Sequence, residues 1–333
     1  MPMAEPRVTL AVVPRERFSC IPRSLQSVYD HTRPPFQLVY VDGGSPRRLR
    51  RYLDRQAGKH GFRLIRTSRY LSPNEARNLA LREATTEYVV FLDNDVSVTP
   101  GWLDKLVACA DETGAAVVGP LTCIGRPEHE VIHLAGGDVQ ILEEPENGRV
   151  IRRVRERMYL PNRKVGDVRA GLRRQECRLA EFHCMLVRRS IFDAVGEFDE
   201  GMLSTREHLD FCLLVRQAGG AIYFEPDSVV TYVPGPPFAW SDLGFYMLRW
   251  SDDWERRSLQ HFSEKWALTQ DEFFHSRFAR LGWRRHNSLI APAARKLTLG
   301  RGSRKLEGVL KRGDRVLNRQ LTRRHARRAT VAS

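Results

Sequence analysis

Two carboxylates one residue apart, Asp93 and Asp95, terminate the apolar run Tyr88-Val89-Val90-Phe91-Leu92. Such a run reads as a buried strand. A strand covered on both faces admits charge only at its end, so these acids belong in the crevice at the carboxyl edge of an open α/β sheet. Their oxygens suit a hard divalent cation whose shell phosphate oxygens would complete. An isolated Asp-x-Asp is equally compatible with a solvated turn, so its meaning depends on the rest of the chain.

Other groups could share that crevice. Glu207-His208-Leu209-Asp210 opens a helical stretch over 205–218 and offers a carboxylate and an imidazole that could take a proton near neutral pH. Asp42 ends the strand 36–41 before Gly43-Gly44-Ser45, where it is either a turn former or an acceptor for a base N–H. Arg77 lies on a helix over 74–84, free to pair with phosphate or simply to face solvent.

The elements that would position these groups alternate. Strands are expected at 8–13, 36–41, 62–65, 88–93 and 115–118, with helices at 21–31, 47–60, 74–84 and 102–113 between them. That βαβα rhythm specifies an α/β fold with a mostly parallel sheet and helices on both faces. The stretch 140–164 mixes Gly, Pro and charge and reads as a mobile excursion. Order resumes with a strand at 182–187, a short helix at 190–195 and short strands at 221–224 and 228–233.

In this order the motifs resemble the family-2 glycosyltransferases of the GT-A fold, over about 8–232. Val39-Tyr40-Val41-Asp42-Gly43-Gly44-Ser45 is similar to the family's Val-Asp-x-Gly-Ser strand end. Asn74-Glu75-Ala76-Arg77-Asn78 resembles its nucleotide-binding Ala-Arg-Asn helix, and Phe91-Leu92-Asp93-Asn94-Asp95 its metal and diphosphate motif. Arg188-Arg189-Ser190 through Phe198-Asp199-Glu200 resembles the acceptor-side segment, and Glu207 to Asp210 the helix carrying the catalytic base. The resemblance implies an inverting transferase with Pro14, Glu16, Asp42, Arg77, Asn78 and Asp93 at a nucleotide diphosphate sugar, UDP-sugar favoured. It implies Mg2+ or Mn2+ on Asp93 and Asp95, and catalysis by His208, Glu207 or Asp210. Two departures stand out. His208 occupies the family's base position, and Tyr232 stands where many relatives carry a metal-binding histidine, a place left to water or to His133.

Composition bounds the alternatives. The 333 residues are 42% hydrophobic, enough for a sizeable core, and no apolar run approaches a membrane span. Residues 1–6 show no secretory leader, and six scattered cysteines without a Cys-x-x-Cys pair read as reduced thiols of a cytoplasmic protein. Residues 284–333 carry 15 Lys and Arg against two acids, so +13 of the formal net charge of +14 lies there. Three regions are expected: a transferase domain at 1–235, an aromatic-rich helical extension at 236–283, and a basic tail at 284–333, partly helical or disordered. The tail's Leu306, Val309, Leu310, Val316, Leu317 and Leu321 recur at helical spacing among basic residues, interrupted by Gly308 and Gly313. This suits an anionic membrane surface and a glycan or lipid-linked acceptor, as in cell-envelope polysaccharide or glycoconjugate synthesis. A nucleotidyltransferase is disfavoured because Val13-Pro14-Arg15-Glu16-Arg17 contains no glycine. The remaining alternative is a sugar-nucleotide-binding or nucleic-acid-binding protein with a degenerate site, although no nucleic-acid motif is present.

Overall fold

A computed structural model describes residues 5–332 apart from 147 and 236–237, and leaves the side chains of 273 and 328–332 undescribed. Twelve strands are present among the described residues: β1 (Val8–Val13), β2 (Gln37–Gly43), β3 (Arg63–Thr67), β4 (Tyr88–Asp93), β5 (Val96–Val98), β6 (Val117–Ile124), β7 (Ile132–Leu134), β8 (Gly137–Glu146), β9 (Arg149–Met158), β10 (Gln175–Cys177), β11 (Cys184–Arg188) and β12 (Ile222–Tyr232). Ten form one sheet along β10-β12-β6-β11-β4-β1-β2-β3, with β5 against β12 and β7 against β6. β1 pairs in parallel with both β2 and β4, and β6 pairs in parallel with β12.

Alternation along these strands sorts the core into two layers. Ala11, Val13, Val89 and Phe91 join one cluster; Leu10, Val12, Val90 and Leu92 join the other. This is the period-2 geometry of a strand buried on both faces. Phe91 meets Phe182, Phe192 and Phe198 edge-on at 6.1, 6.3 and 4.9 Å, fixing the strand just before its acidic end.

β11 runs antiparallel between β4 and β6. Its first residues therefore emerge at the rim where the parallel strands finish. The two strands expected at 221–224 and 228–233 are one strand, β12, with a register shift between Glu225 and Val229.

The expected mobile excursion is instead a hairpin, β8 against β9, paired from Gly137–Met158 to Glu146–Arg149. Val139 and Val154 bury one face of it, while Arg153 reaches Asp271 at 2.6 Å. Its strands are crowded with charge, including Glu143-Glu144, Arg152-Arg153 and Arg155-Glu156-Arg157, which a composition-based reading takes for a loop.

Beyond β12, helices Leu243–Arg249, Asp252–Lys265 and Glu272–Phe278 lead to a 29-residue helix, Arg304–Ala332, that runs through Gly308 and Gly313. Asn318 anchors its inner side, donating to the Met247 carbonyl and accepting from the Asp252 N–H, and Asp314 pairs with buried Arg285 at 2.9 Å. Of the extension's aromatics, Phe245, Tyr246, Trp250, Trp254, Phe262, Trp266 and Phe274 are buried and Trp240 is exposed; the Phe273 side chain and residues 1–4 of the leader reading lie outside the described set.

Candidate active site

The acidic pair sits at the junction of β4 and β5, where Asp93, Asn94 and Asp95 are buried. Asn94 locks the rim: its N–H donates to the Val13 carbonyl and its side-chain oxygen accepts from the Arg15 N–H. That holds the segment after β1 against the acids. Arg15 lies 3.5 Å from Asp93 and 3.9 Å from Glu207, and Arg77 lies 3.8 Å from Asp93. Arg77 rides on helix Pro73–Leu81, which starts with Pro73 in its first turn and a capping box between Ser72 and Glu75.

Environment drives the two acids apart. Burial pushes Asp93 up, but Arg15, then His183 and Arg77, outweigh it and hold the carboxyl below its usual value. Burial, then Glu16 and Asp93, push Asp95 well above the carboxylate range. Neither carboxylate makes a hydrogen bond of normal geometry, nor do Arg15 Nε or Arg77 Nε and NH2. Buried oxygens and guanidinium N–H groups that pair only loosely in charge and make no hydrogen bond form a place for a cation and an anion. Burial also lowers Arg77 to about 10.

Helix Glu207–Gln217 sends its first two side chains in different directions. Glu207 turns inward to fully buried Arg249, 3.0 Å away. Its carboxyl is held low, Arg249, Arg77 and His208 outweighing burial. His208 faces the other way, with Nε2 3.8 Å from Glu181 and 4.0 Å from Glu156. Burial would lower His208, but Glu156 and Glu181 outweigh it and raise it above 6.5. Arg206, just before the helix, takes φ 75°, a left-handed conformation that disfavours non-glycine residues by about 1–2 kcal/mol. Its guanidinium grips Glu156 at 2.8 Å.

The remaining expected residues are placed as follows. Asp42 accepts from the Ser45 N–H and from Arg66, each at 2.9 Å, in a turn whose Gly44 has φ +79° and backbone of Arg69 pressed against it. Pro14 packs on Gly43, whose Cβ position lies 3.1 Å from the proline Cγ. Glu16 accepts from Tyr232 Oη and Trp250 Nε1, at 3.0 and 2.8 Å. Asn78 is turned away from the acids, bridging Phe198 and Glu200. Asp210 is engaged by Trp266 Nε1 and Lys265 Nζ, both at 2.8 Å. The structure thus gathers Asp93, Asp95, Glu16, Arg77, Glu207 and His208 around one rim, and gives Asn78 and Asp210 packing partners.

Sequence reasoning did not nominate Arg15, Glu156, Glu181, His183 or Arg249. His183 carried a signal, as a polar residue inside the apolar run 182–187; it lies 3.0 Å from Asp93, stacks on Tyr232 at 4.0 Å, and is lowered to about 4 by burial and Arg15. Arg249 and Glu156 gave none, because their partners are remote in sequence. A separate groove, lined by Arg256, Phe278, Arg315 and Arg319, contains none of these groups.

Residues 11–196, more than half of the chain, match the sequence model described as Glycosyl transferase family 2. The chain is 26% identical over 221 residues to an uncharacterised protein, y4gI, of Sinorhizobium fredii, covering 64% of this chain and 23% of that one. It is 29% identical over 161 residues to the pre-mycofactocin glycosyltransferase of Mycobacterium tuberculosis, covering 48% of this chain and 30% of that one. The matched region thus spans under a third of either relative's length. Among solved structures, it is similar to GalNAc-T7 with UDP, GalNAc and Mn2+ (TM-score 0.53, 18% identity, covering 84% of this chain and 54% of that one). It is also similar to the mannosyltransferase PcManGT of Pyrobaculum calidifontis with GDP-Man and Mn2+ (TM-score 0.50, 18% identity, covering 98% and 85%). At such identity the likeness establishes the fold, which is the expected GT-A arrangement. Fold and sequence match together place this chain in glycosyl transferase family 2.

Proposed function

We propose that this protein transfers a sugar from a nucleotide diphosphate sugar to an acceptor hydroxyl with inversion. The observation that carries the reading is that the Asp93 and Asp95 carboxylates, Arg15 Nε and Arg77 Nε and Nη2 are buried together by the carboxyl ends of β1 and β4 with no hydrogen bond to satisfy them. Asp93 and Asp95 fit a hard divalent cation, Mg2+ or Mn2+, by donor type and by their lack of hydrogen bonds. Bound there, such an ion neutralises charge developing on a departing diphosphate. Arg15 and Arg77 bring fixed positive charge to the same anion, which counts for more in a site shielded from water. Asp42 and Pro14 line the base end. The negative charge of a diphosphate would thereby be met on two sides, by the Arg15 and Arg77 guanidinium groups and by a cation held on Asp93 and Asp95.

His208 serves as the base in this reading. It is the partly exposed member of the Glu207–His208 pair, with carboxylates behind it that keep its proton affinity high. Glu207, sealed against Arg249, holds the guanidinium array in place. The exposed Lys and Arg residues within 304–327 support peripheral attachment to an anionic inner leaflet, and so a lipid-linked acceptor on the cytoplasmic side. No helix among the described residues is long and apolar enough to cross a membrane.

The test is a screen of purified protein against UDP-, GDP- and dTDP-sugars with Mg2+ or Mn2+, read as release of nucleoside diphosphate. Turnover of one donor class, abolished by chelation, is expected. Absence of both binding and turnover with every donor overturns the reading.

A further inference from the structure

The antiparallel direction of β11 delivers Glu181 and His183 to the same rim as Asp93, and β7, which follows on along the same edge of β6, brings His133 there. His133 Nε2 lies 2.7 Å from Glu181 Oε2, and His183 Nε2 lies 3.6 Å from the same oxygen. Among the described residues these are the three His, Cys, Asp or Glu side chains whose donor atoms all fall within 4.8 Å of one another. Donors held 2.0–2.1 Å from one tetrahedral ion stand about 3.3 Å apart, so the cluster is within a small adjustment of a ligand set.

We propose that His133, Glu181 and His183 form a second metal site, for a nitrogen-preferring transition ion such as Zn2+, distinct from the acidic pair. Two imidazoles and one carboxylate select against Mg2+ and for Zn2+ or Co2+. The rest of the arrangement is that of a metal centre. Asp93 Oδ2 lies 3.0 Å from His183 Nδ1, on the ring nitrogen opposite the one that meets Glu181. The contact is a charge contact and not an aligned hydrogen bond as it stands; once aligned, an outer carboxylate behind a ligating imidazole fixes the ring's orientation and raises its basicity. Tyr232 stacks on His183 at 4.0 Å and limits its rotation. His183 is 3% exposed, so the ring is already confined without a ligand. Three protein donors leave a coordination position for water or a substrate oxygen. The other oxygen of Glu181 faces His208 at 3.8 Å, so an ion here would sit beside the group read above as the base. The site itself stands on the donor geometry and does not need that reading.

The experiment is titration of the full-length, chelator-stripped protein with Co2+, followed by visible d–d absorption, with Zn2+ as competitor. One equivalent with the intense bands of a four- or five-coordinate ion, displaced by Zn2+ and unaffected by excess Mg2+, is expected. His133→Ala, at a partly exposed position, weakens Co2+ binding by at least about tenfold, while Asp95→Asn leaves it unchanged. Hyperfine-shifted exchangeable imidazole N–H signals from two histidines, read by NMR on the unmutated Co2+ protein, identify the ligands without any variant. Weak six-coordinate absorption, an absence of shifted imidazole signals, or loss of binding in Asp95→Asn but not His133→Ala overturns the proposal. These readouts are independent of sugar transfer, so failure of the transferase reading leaves them interpretable.

Discussion

Replacing Asp95 by Asn separates stability from function in a measurable way. Asp95 is 2% exposed, makes no hydrogen bond, and has Glu16 and Asp93 as its principal charged neighbours. Burying a charge without a hydrogen bond beside two other acids costs more than burying a neutral amide in its place, a difference on the order of 1–3 kcal/mol. Asparagine keeps the shape and removes the repulsion, so in EDTA the variant should melt above the parent protein. At about 2 °C per kcal/mol for a chain of this size, the gain is about 2–6 °C. Mg2+ reverses the order. At a hundredfold excess over its dissociation constant an ion that binds only the folded state adds about 2.7 kcal/mol, or about 5 °C, to the parent and little to the variant. The pH dependence has a defined sign. A carboxyl whose folded-state pKa is raised above 3.8 weakens the fold as pH climbs from 3.8 towards the raised value, because folding then holds a proton that the unfolded chain releases. The advantage of Asp95→Asn in EDTA therefore shrinks on acidification. Differential scanning calorimetry with and without Mg2+ measures all three effects. A variant that melts below the parent in EDTA, or gains as much from Mg2+, refutes the account of the acidic pair.

His208→Ala should lower kcat by about 10²–10⁴-fold, and the parent's kcat/KM should fall as pH drops through a value above 6.5, since the carboxylates around His208 raise it and a base must be unprotonated. Arg249→Met should destabilise the fold by about 3–5 kcal/mol in chemical denaturation, because it strands buried Glu207; adding Glu207→Gln should recover much of the loss. Val309→Asp with Val316→Asp, at positions 62% and 51% exposed, should leave the melting temperature unchanged and abolish flotation with anionic vesicles at moderate salt. Equal flotation of variant and parent would remove the membrane role.

Local pattern made much of the fold legible. The unbroken apolar run through β4 and the helical spacing over 74–84 gave the strand and helix that carry Asp93 and Arg77 within a few residues. Antiparallel β11 was visible as a strand but not as an insertion between β4 and β6, because pairing partners are set by packing across the sheet. Hairpin β8–β9 was missed because its buried valines are spaced among arginines and glutamates, and charge dominated the reading. At the site, Asp93 and Asp95 announced themselves by breaking an apolar run. Arg249 and Glu156 could not, since an ion pair across 42 residues or more leaves no local trace.

The contacts of the aromatic extension have a kinetic corollary. Asp242 accepts from the Phe18 and Ser19 N–H groups, Phe245 stacks on Phe18 at 4.9 Å, and Trp250 holds Glu16, so the segment following β1 is fastened from above. If a donor reaches Arg15 and the acids from that side, it must first part the seam. Its apparent affinity is then its intrinsic affinity multiplied by the fraction of molecules with the seam open: one open molecule in a hundred weakens binding about a hundredfold. Association should be slow and saturate with donor concentration, reporting the opening rate rather than diffusion. Loosening Trp250 would speed capture and release alike while leaving the chemical step's own groups in place.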